Sequence, residues 1–312
     1  MEFPPKPWPT GTVERLEPLV GRVLAANPSP FTFTGTQSYI VGEAAGVAVI
    51  DPGPNEAEHL TALLAAIDGR PVLAIACTHT HRDHSPAAAP LAERTGAPII
   101  GCAPLTLADE GPRADAAFDP EYAPTRVLAD GEVIEGSGSN WLLRAIATPG
   151  HTSNHLCFAL ELDGMETPAL FTGDHVMGWS TTVVAPPDGD MAAYMASLEK
   201  LHARDDRVYY PAHGPAIERP RQLVRGLIGH RRQRERQIMR LTGSGIATIG
   251  EMVPRMYKGV DPALWPAAGR SVLAHLIDIE TRGLAHRNGE TWRLTLAGTA
   301  HAAANGITGE ST

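Results

Sequence analysis

Cysteine is scarce. Only Cys77, Cys102 and Cys157 occur in the 312 residues, far apart and in no CxxC spacing. That excludes a disulfide framework and a thiolate zinc site, and leaves the three as small buried hydrophobes on strands. Long apolar runs are missing too, so no bilayer-spanning helix is expected and no membrane partner. The start, MEFPPKPWPT, has neither the basic stretch nor the apolar run of a secretory signal, and the expected location is the cytoplasm. No GxSxG elbow is present and no serine or cysteine stands out as a nucleophile. There is no internal repeat, and the only biased tract is a polar tail after Leu296.

The chain is 43% hydrophobic and 20% charged, enough for a sizeable core in one large domain or two. A net charge of −9 hides an asymmetry: residues 1–218 hold 12 Lys+Arg against 28 Asp+Glu, whereas residues 219–312 hold 14 against 7. The balances of −16 and +7 predict two domains, 1–218 and 219–312, with different jobs. Divalent cations bound among carboxylates would offset part of the acidic excess locally.

Apolar or alternating runs predict strands at FTFTGTQSYIVG, GVAVID, VLAIACT, APIIG, WLLRAIAT, HLCFALEL, PALFTGD and RVYYPAHG. Helical patterns lie between some of them. NEAEHLTALLAAIDG closes on a glycine, SPAAAPLAERTG opens on a serine cap and closes on a glycine, and DMAAYMASLEKLHAR opens on an aspartate. The first domain is therefore α/β with much strand. After His213 come three helical patterns and AHRNGETWRLT, a hairpin with an Asn-Gly turn, which is the order of a winged-helix module.

The densest chemistry sits in THTHRDH, where His79, His81, Asp83 and His84 follow the strand VLAIACT directly. Neutral imidazole and carboxylate are both good ligands for Zn²⁺, and residues at i and i+2 of an extended loop point the same way. His79 and His81 can grip one metal while Asp83 and His84 turn toward a second. Further ligands repeat the arrangement of strand, glycine-containing turn and donor: His151 in TPGHTSNH, Asp174 in LFTGDH and His213 in YYPAHGP.

HxHxDH followed by these three residues resembles the metallo-β-lactamase superfamily, an αββα sandwich binding two metals at one edge. The resemblance covers roughly residues 12–218. It implies that His79, His81 and His151 hold a first metal, that Asp83, His84 and His213 hold a second, and that Asp174 bridges them. It also makes Asp51 of the DPG turn an orienting residue behind the ligands. The bridging aspartate is similar to that of the glyoxalase II, ribonuclease Z and β-lactamase-like protein 2 groups, and unlike true β-lactamases. The segments WSTTVVAPPDGDMAAYMASLEKL and HGPAIERPRQLVRGLIGHRRQRERQI, with the winged helix, resemble the β-lactamase-like protein 2 group, whose animal members are single-strand-selective endoribonucleases. Asn154 departs from that group, where an aspartate is expected, and the helix after Arg219 is unusually rich in arginine.

The expected cofactor is two Zn²⁺ per chain, with Mn²⁺ and iron also compatible with these ligand types. A water shared by two such ions ionises near neutral pH and attacks an electrophilic carbonyl or phosphorus without a protein nucleophile. Asp83, His155 and Asp51 are the residues expected to serve catalysis beyond simple ligation. His155 protonates a leaving group or, on the other reading, packs or orients, as does His175. His59, His202, His230, His275, His286 and His301 read as ordinary surface or core histidines. The arginines from Arg219 to Arg240 either pair within the protein or a homodimer, or capture substrate phosphate. Three functions follow: a phosphodiesterase acting on single-stranded RNA, a hydrolase of acyl thioesters, and a nucleic-acid-binding protein with structural metals. β-Lactam hydrolysis ranks below the two hydrolase readings. Seven candidate ligands argue against purely structural metal, which four protein ligands normally close.

Overall fold

The computed structural model describes residues 8–105, 118–136, 141–163 and 168–307. Each of the eight runs read as a strand forms one. Strands β1 (Val13–Glu17), β2 (Val20–Leu24), β3 (Gln37–Glu43), β4 (Gly46–Ile50), β5 (Val72–Cys77), β6 (Ile99–Gly101) and β7 (Arg126–Val127) make a seven-stranded sheet in that order. Strands β8 (Val133–Glu135), β9 (Trp141–Ala147), β10 (Leu156–Leu162), β11 (Ala169–Gly173) and β12 (Val208–Pro211) make a second sheet in the order β12-β11-β10-β9-β8. The inner strands are apolar on both faces because both are covered: every residue of β4 and β11 is buried. Strand β1 escaped the sequence reading because it is an exposed edge whose VERLE carries charge and no apolar period.

The pairing explains why ligands converge. Strands β4, β5 and β6 run parallel, so the ends of β4 and β5 share one edge. In the other sheet β10 is antiparallel to both β9 and β11, and β12 is parallel to β11. Thus β9, β11 and β12 also finish together. One core of Val41, Val49 and Ile75 with Leu143, Phe158 and Phe171 joins the two sheets. Helix α1 (Ala57–Ile67) buries Leu63 and Ile67, and helix α2 (Ala88–Thr95) buries Leu91 in the same core. The three cysteines are buried and form no disulfide.

The chain folds into two compact units. The first comprises residues 1–149, 154–182 and 203–221; the second comprises 150–153, 183–202 and 222–312. The second contains helix α3 (Met191–His202), most of α4 (Pro220–Gly243), α5 (Ile249–Met256), α6 (Trp265–Thr281), the hairpin β13 (Ala285–Asn288) and β14 (Thr291–Leu294), and α7 (Leu296–Ala304). Its core gathers Ile238, Met252, Val272, Leu276, Trp292 and Ile307.

Three local expectations are corrected. Ser85 does not cap α2: its hydroxyl donates to Asp119 Oδ2 (2.8 Å), and the helix starts at Ala88. The hairpin turn is not Asn-Gly, because Asn288 pairs with Thr291 and leaves Gly289-Glu290 at the tip, with Gly289 at φ +61. A glycine at the first of two turn positions suits a type II′ turn. The tail after Leu296 is not featureless: alanine-rich α7 forms there, capped by Thr295 Oγ1 accepting from Gly298 N (3.0 Å).

The arginine run divides within the second unit. Arg231 is buried with its guanidinium 5.1 Å from the Tyr194 ring centre. Arg234 donates to Met256 O (2.9 Å) and lies over Tyr257. Arg232 pairs with Glu199 (2.8 Å). Arg225, Arg236 and Arg240 are exposed and form no ion pair among the described residues.

Helix α7 supplies a test of the second unit. A Cβ on Gly298 would stand 1.8 Å from Leu284 O. Gly298→Ala should therefore lower unfolding stability by about 1–3 kcal/mol through overpacking, read as a lowered urea midpoint. An unchanged midpoint would mean that α7 does not dock as described.

Candidate metal centre

The site begins at Asp51, the residue after β4. Its Oδ1 accepts from Thr78 N (2.7 Å), and its Oδ2 accepts from Thr78 Oγ1 (2.8 Å) and His84 Nδ1 (3.0 Å). The backbone closes the same junction, with Gly53 N donating to His84 O (2.8 Å) and Ala87 N to Gly53 O (3.0 Å). Asp51 has φ +46, a left-handed conformation that costs a non-glycine residue on the order of 1 kcal/mol and persists where bonds over-determine it.

Hydrogen bonds fix which nitrogen each histidine presents. His79 Nδ1 lies 2.9 Å from Thr78 Oγ1, whose own proton goes to Asp51, so that nitrogen is the donor. His84 Nδ1 donates to Asp51, His151 Nδ1 to Val183 O (2.7 Å) and His213 Nδ1 to Gly35 O (3.2 Å). Oxygens that can only accept hold the proton on Nδ1 and leave Nε2 as the metal-facing lone pair. His81 is turned the other way, its Nδ1 lying 3.0 Å from His79 Nε2.

Two groups of donors result. His79, His81, His151 and Asp174 each offer one ligand atom, all within 4.8 Å of one another, and Asp83, His84 and His213 do the same. Asp174 also reaches the second group: its Oδ1 lies 3.6 Å from His84 Nε2 and 3.2 Å from His213 Nε2. Asp83 Oδ2 lies 3.3 and 3.2 Å from the same two nitrogens. Ligand bonds of about 2.0–2.2 Å at tetrahedral angles put neighbouring donors ~3.4 Å apart. The spacings therefore fit a divalent ion, and the nitrogen and carboxylate donors suit zinc, manganese or iron.

The charges fit as well. Burial opposes ionisation of Asp83 and Asp174, but the imidazoles of His84 and His213 outweigh it and hold both carboxyls well below their usual range. Burial likewise works against charge on His213, yet Asp174 and Asp83 push its pKa up to about 10, and carboxylates raise His84 in the same way. Burial and the neighbouring His84 and His81 push His79 down. The centre attracts positive charge from any source.

Other residues hold the ligands. Gly173 sits at φ +49, where a Cβ would stand 2.7 Å from both His155 Nε2 and Thr78 Oγ1. Only glycine brings Asp174 this close to the Thr78 loop. His155 is buried, with Nδ1 2.9 Å from Thr148 Oγ1 and Nε2 accepting from Asp174 N (3.2 Å). With a backbone N–H on Nε2, His155 makes the kind of orienting bond that one of its two expected parts calls for. His175 is buried beside it, and Thr182 Oγ1 donates to Asp174 O (2.7 Å). Asn154 Nδ2 donates to Ala103 O (2.8 Å) and Thr80 Oγ1 (3.2 Å), and a carboxylate at this position could not donate the first of these.

Sequence reasoning missed several supports. Thr36 Oγ1 donates to Asp83 Oδ2 (3.3 Å), and Gln37 Nε2 donates to Pro211 O (3.0 Å) and Gly214 O (2.7 Å), bracketing His213. His59, read as an ordinary histidine, is buried on α1 with Nε2 3.0 Å from Ser38 Oγ, and a Cβ on Gly53 would touch that nitrogen. It backs the turn that presents Asp51. No local pattern marks these residues, since their partners lie elsewhere in the chain.

A sequence model of the metallo-beta-lactamase superfamily matches residues 31–213. The chain belongs to the metallo-β-lactamase superfamily. A second model, the beta-lactamase associated winged helix domain, matches residues 248–292 of this superfamily member. It is 35% identical over 230 residues to a protein of Aspergillus fumigatus named atrochrysone carboxyl ACP thioesterase, covering 73% of this chain and 66% of that one. It is 31% identical over 287 residues to the beta-lactamase-like protein 2 homolog of Drosophila melanogaster, covering 87% and 91%. Among solved structures, a beta-lactamase domain protein from Burkholderia ambifaria superposes with a TM-score of 0.74 at 20% identity, over 92% of this chain and 94% of that one, a likeness of fold. The superfamily member is thus a hydrolase by family.

Burial pushes the pKa of His59 down to about 4. The folded state keeps this ring neutral, while the unfolded chain takes up its proton near pH 6.5. Stability from this group is therefore full above pH 6.5 and is lost as pH falls toward 4. His59→Gln should flatten the decline of the urea midpoint between pH 7 and pH 5, and an identical decline in the variant would remove His59 from this role.

Proposed function

We propose that the protein hydrolyses phosphodiester bonds of single-stranded RNA at a centre of two divalent ions, zinc by preference. The observation that carries the two-ion centre is that Asp174 belongs to one donor group and brings Oδ1 within 3.6 Å of His84 Nε2 and 3.2 Å of His213 Nε2 in the other. His79, His81 and His151 would hold one ion, Asp83, His84 and His213 the other, with the Asp174 carboxylate between them. Two such ions, when bound, supply hydroxide near neutral pH and offset charge developing on the attacked oxygens. The chain's own part is preorganisation. Asp51 and Thr78 lock the tautomers of His79 and His84, His155 and Thr182 hold Asp174 by its backbone, and Thr36 braces Asp83. Such fixed placement removes the cost of organising the ligands during reaction.

The match to the beta-lactamase-like protein 2 homolog over most of both chains, and the +7 balance of residues 219–312, support RNA as the substrate. A second reading, hydrolysis of an acyl thioester, draws on the relative named atrochrysone carboxyl ACP thioesterase. Metal-loaded protein assayed side by side on single-stranded RNA, an acyl thioester and a cephalosporin separates these readings. Cleavage of RNA is the expected result, and turnover of the thioester alone would replace it with the second reading.

Asp174→Ala tests the shared carboxylate. Metal content measured by mass spectrometry should fall from two ions toward one per folded chain, and hydrolysis should drop by several kcal/mol of transition-state stabilisation, roughly a thousandfold or more. A folded variant keeping two tight ions and full turnover would refute the assignment.

A further inference from the structure

The exposed surface of α4 has an unusual composition. From Gln222 onward every exposed residue of this helix is arginine, glutamine or glycine, with no carboxylate and no apolar side chain. At 100° per residue, Arg225, Arg232, Arg236 and Arg240 fall within an arc of roughly 80°, a row roughly 22 Å long. Arg232 has an exposed partner in Glu199, a surface pair of little worth that an incoming anion can displace. The buried and bonded Arg231 and Arg234 point elsewhere and belong to packing.

Two glycines share this helix. Gly226 and Gly229 lie inside α4, where glycine weakens a helix, and a Cβ on either would meet nothing within 4 Å. Packing does not require them. Gly229 falls inside the arginine arc, between Arg225 and Arg232, and leaves the helix backbone bare within the row. Helix α6, the third helix of the winged-helix unit, offers no comparable surface. Arg270 donates to Pro186 O (2.9 Å), and Arg282, just past its end, pairs with Glu235 and Asp278.

Resting on the RNA reading above, we infer that this face of α4 is the track for the substrate's sugar-phosphate backbone, with four guanidiniums on phosphates and Gly229 giving the chain room to lie close. A row of cations without apolar anchors fits a polyanionic strand. A protein partner would call for a central apolar cluster, which this face lacks. Guanidinium forks suit phosphate oxygens, and recognition through phosphates alone is independent of sequence.

The test uses metal-loaded full-length protein, a fluorescein-labelled phosphorothioate oligouridylate for binding, RNA for cleavage and bis(p-nitrophenyl) phosphate as a small substrate. In the Arg225→Gln, Arg236→Gln, Arg240→Gln variant the log-log slope of affinity against salt should become shallower by about 2, at about 0.7 per phosphate contact. Activity on the small diester should stay within about twofold. Gly229→Leu should raise the thermal midpoint, since leucine favours helix, and still weaken oligouridylate binding by about fivefold or more. A purely structural role would move stability and binding together. RNA cleavage with an unchanged salt slope would overturn the track while leaving the RNA reading intact. Binding that follows the arginines without cleavage would keep the track and end the phosphodiesterase reading. If neither binding nor cleavage of RNA occurs and the triple variant instead loses turnover of an acyl group on an acidic carrier protein, the face docks a protein and the inference falls.

Discussion

The buried carboxylate of Asp51 is the constraint on which the metal centre depends. It accepts three hydrogen bonds, two from Thr78 and one from His84. A carboxylate taken from water without such bonds would be strongly disfavoured, so the three donors and the acid require one another. Through Thr78 it fixes the ring of His79, and directly it fixes the ring of His84, which belong to different donor groups. One side chain thereby sets the register of both halves of the site. Its left-handed backbone is the local cost, offset by the bonds around it.

Electrostatics and topology reinforce this arrangement. Parallel pairing sends several strand ends to one edge, where chain reversals place donors next to one another without long loops. The result concentrates carboxylates and imidazoles in a buried space. Asp83 and Asp174 raise the affinity of His84 and His213 for positive charge. Divalent ions and protons compete for the same lone pairs, so ligation and proton release are coupled at this centre. The formal charge of −16 over residues 1–218 overstates the field at the site once cations of either kind are counted.

Much of this was legible in the sequence because the informative residues are local. HxHxDH sits in one loop, and His151, Asp174 and His213 each follow an apolar strand, so periodicity and spacing sufficed to find them. The eight runs with apolar or alternating periods were likewise visible. Residues whose meaning is long-range were not: Thr36 on Asp83, Gln37 across β12, and His59 behind the Asp51 turn act through partners that only folding supplies. His155 illustrates the same limit. Its nearness to His151 in sequence left both proton transfer and an orienting bond open, and the bond its ring accepts from Asp174 N is a contact that only the fold reveals. Edge strand β1 and helix α7 lacked an apolar period and were missed for that reason.

The arginine run shows why charge counting alone could not decide between internal pairing and phosphate capture. Arg231 and Arg232 are adjacent, yet a 100° turn of the helix buries one over Tyr194 and exposes the other. Helical period therefore separates arginines that hold the second unit together from arginines that face solvent, although composition treats them alike. Glycine at position 229 belongs to the same argument. A helix optimised only for stability would place alanine there, because nothing would collide with its Cβ. An unforced glycine among exposed guanidiniums is a departure from local preference, and such departures concentrate where a surface meets something other than its own core.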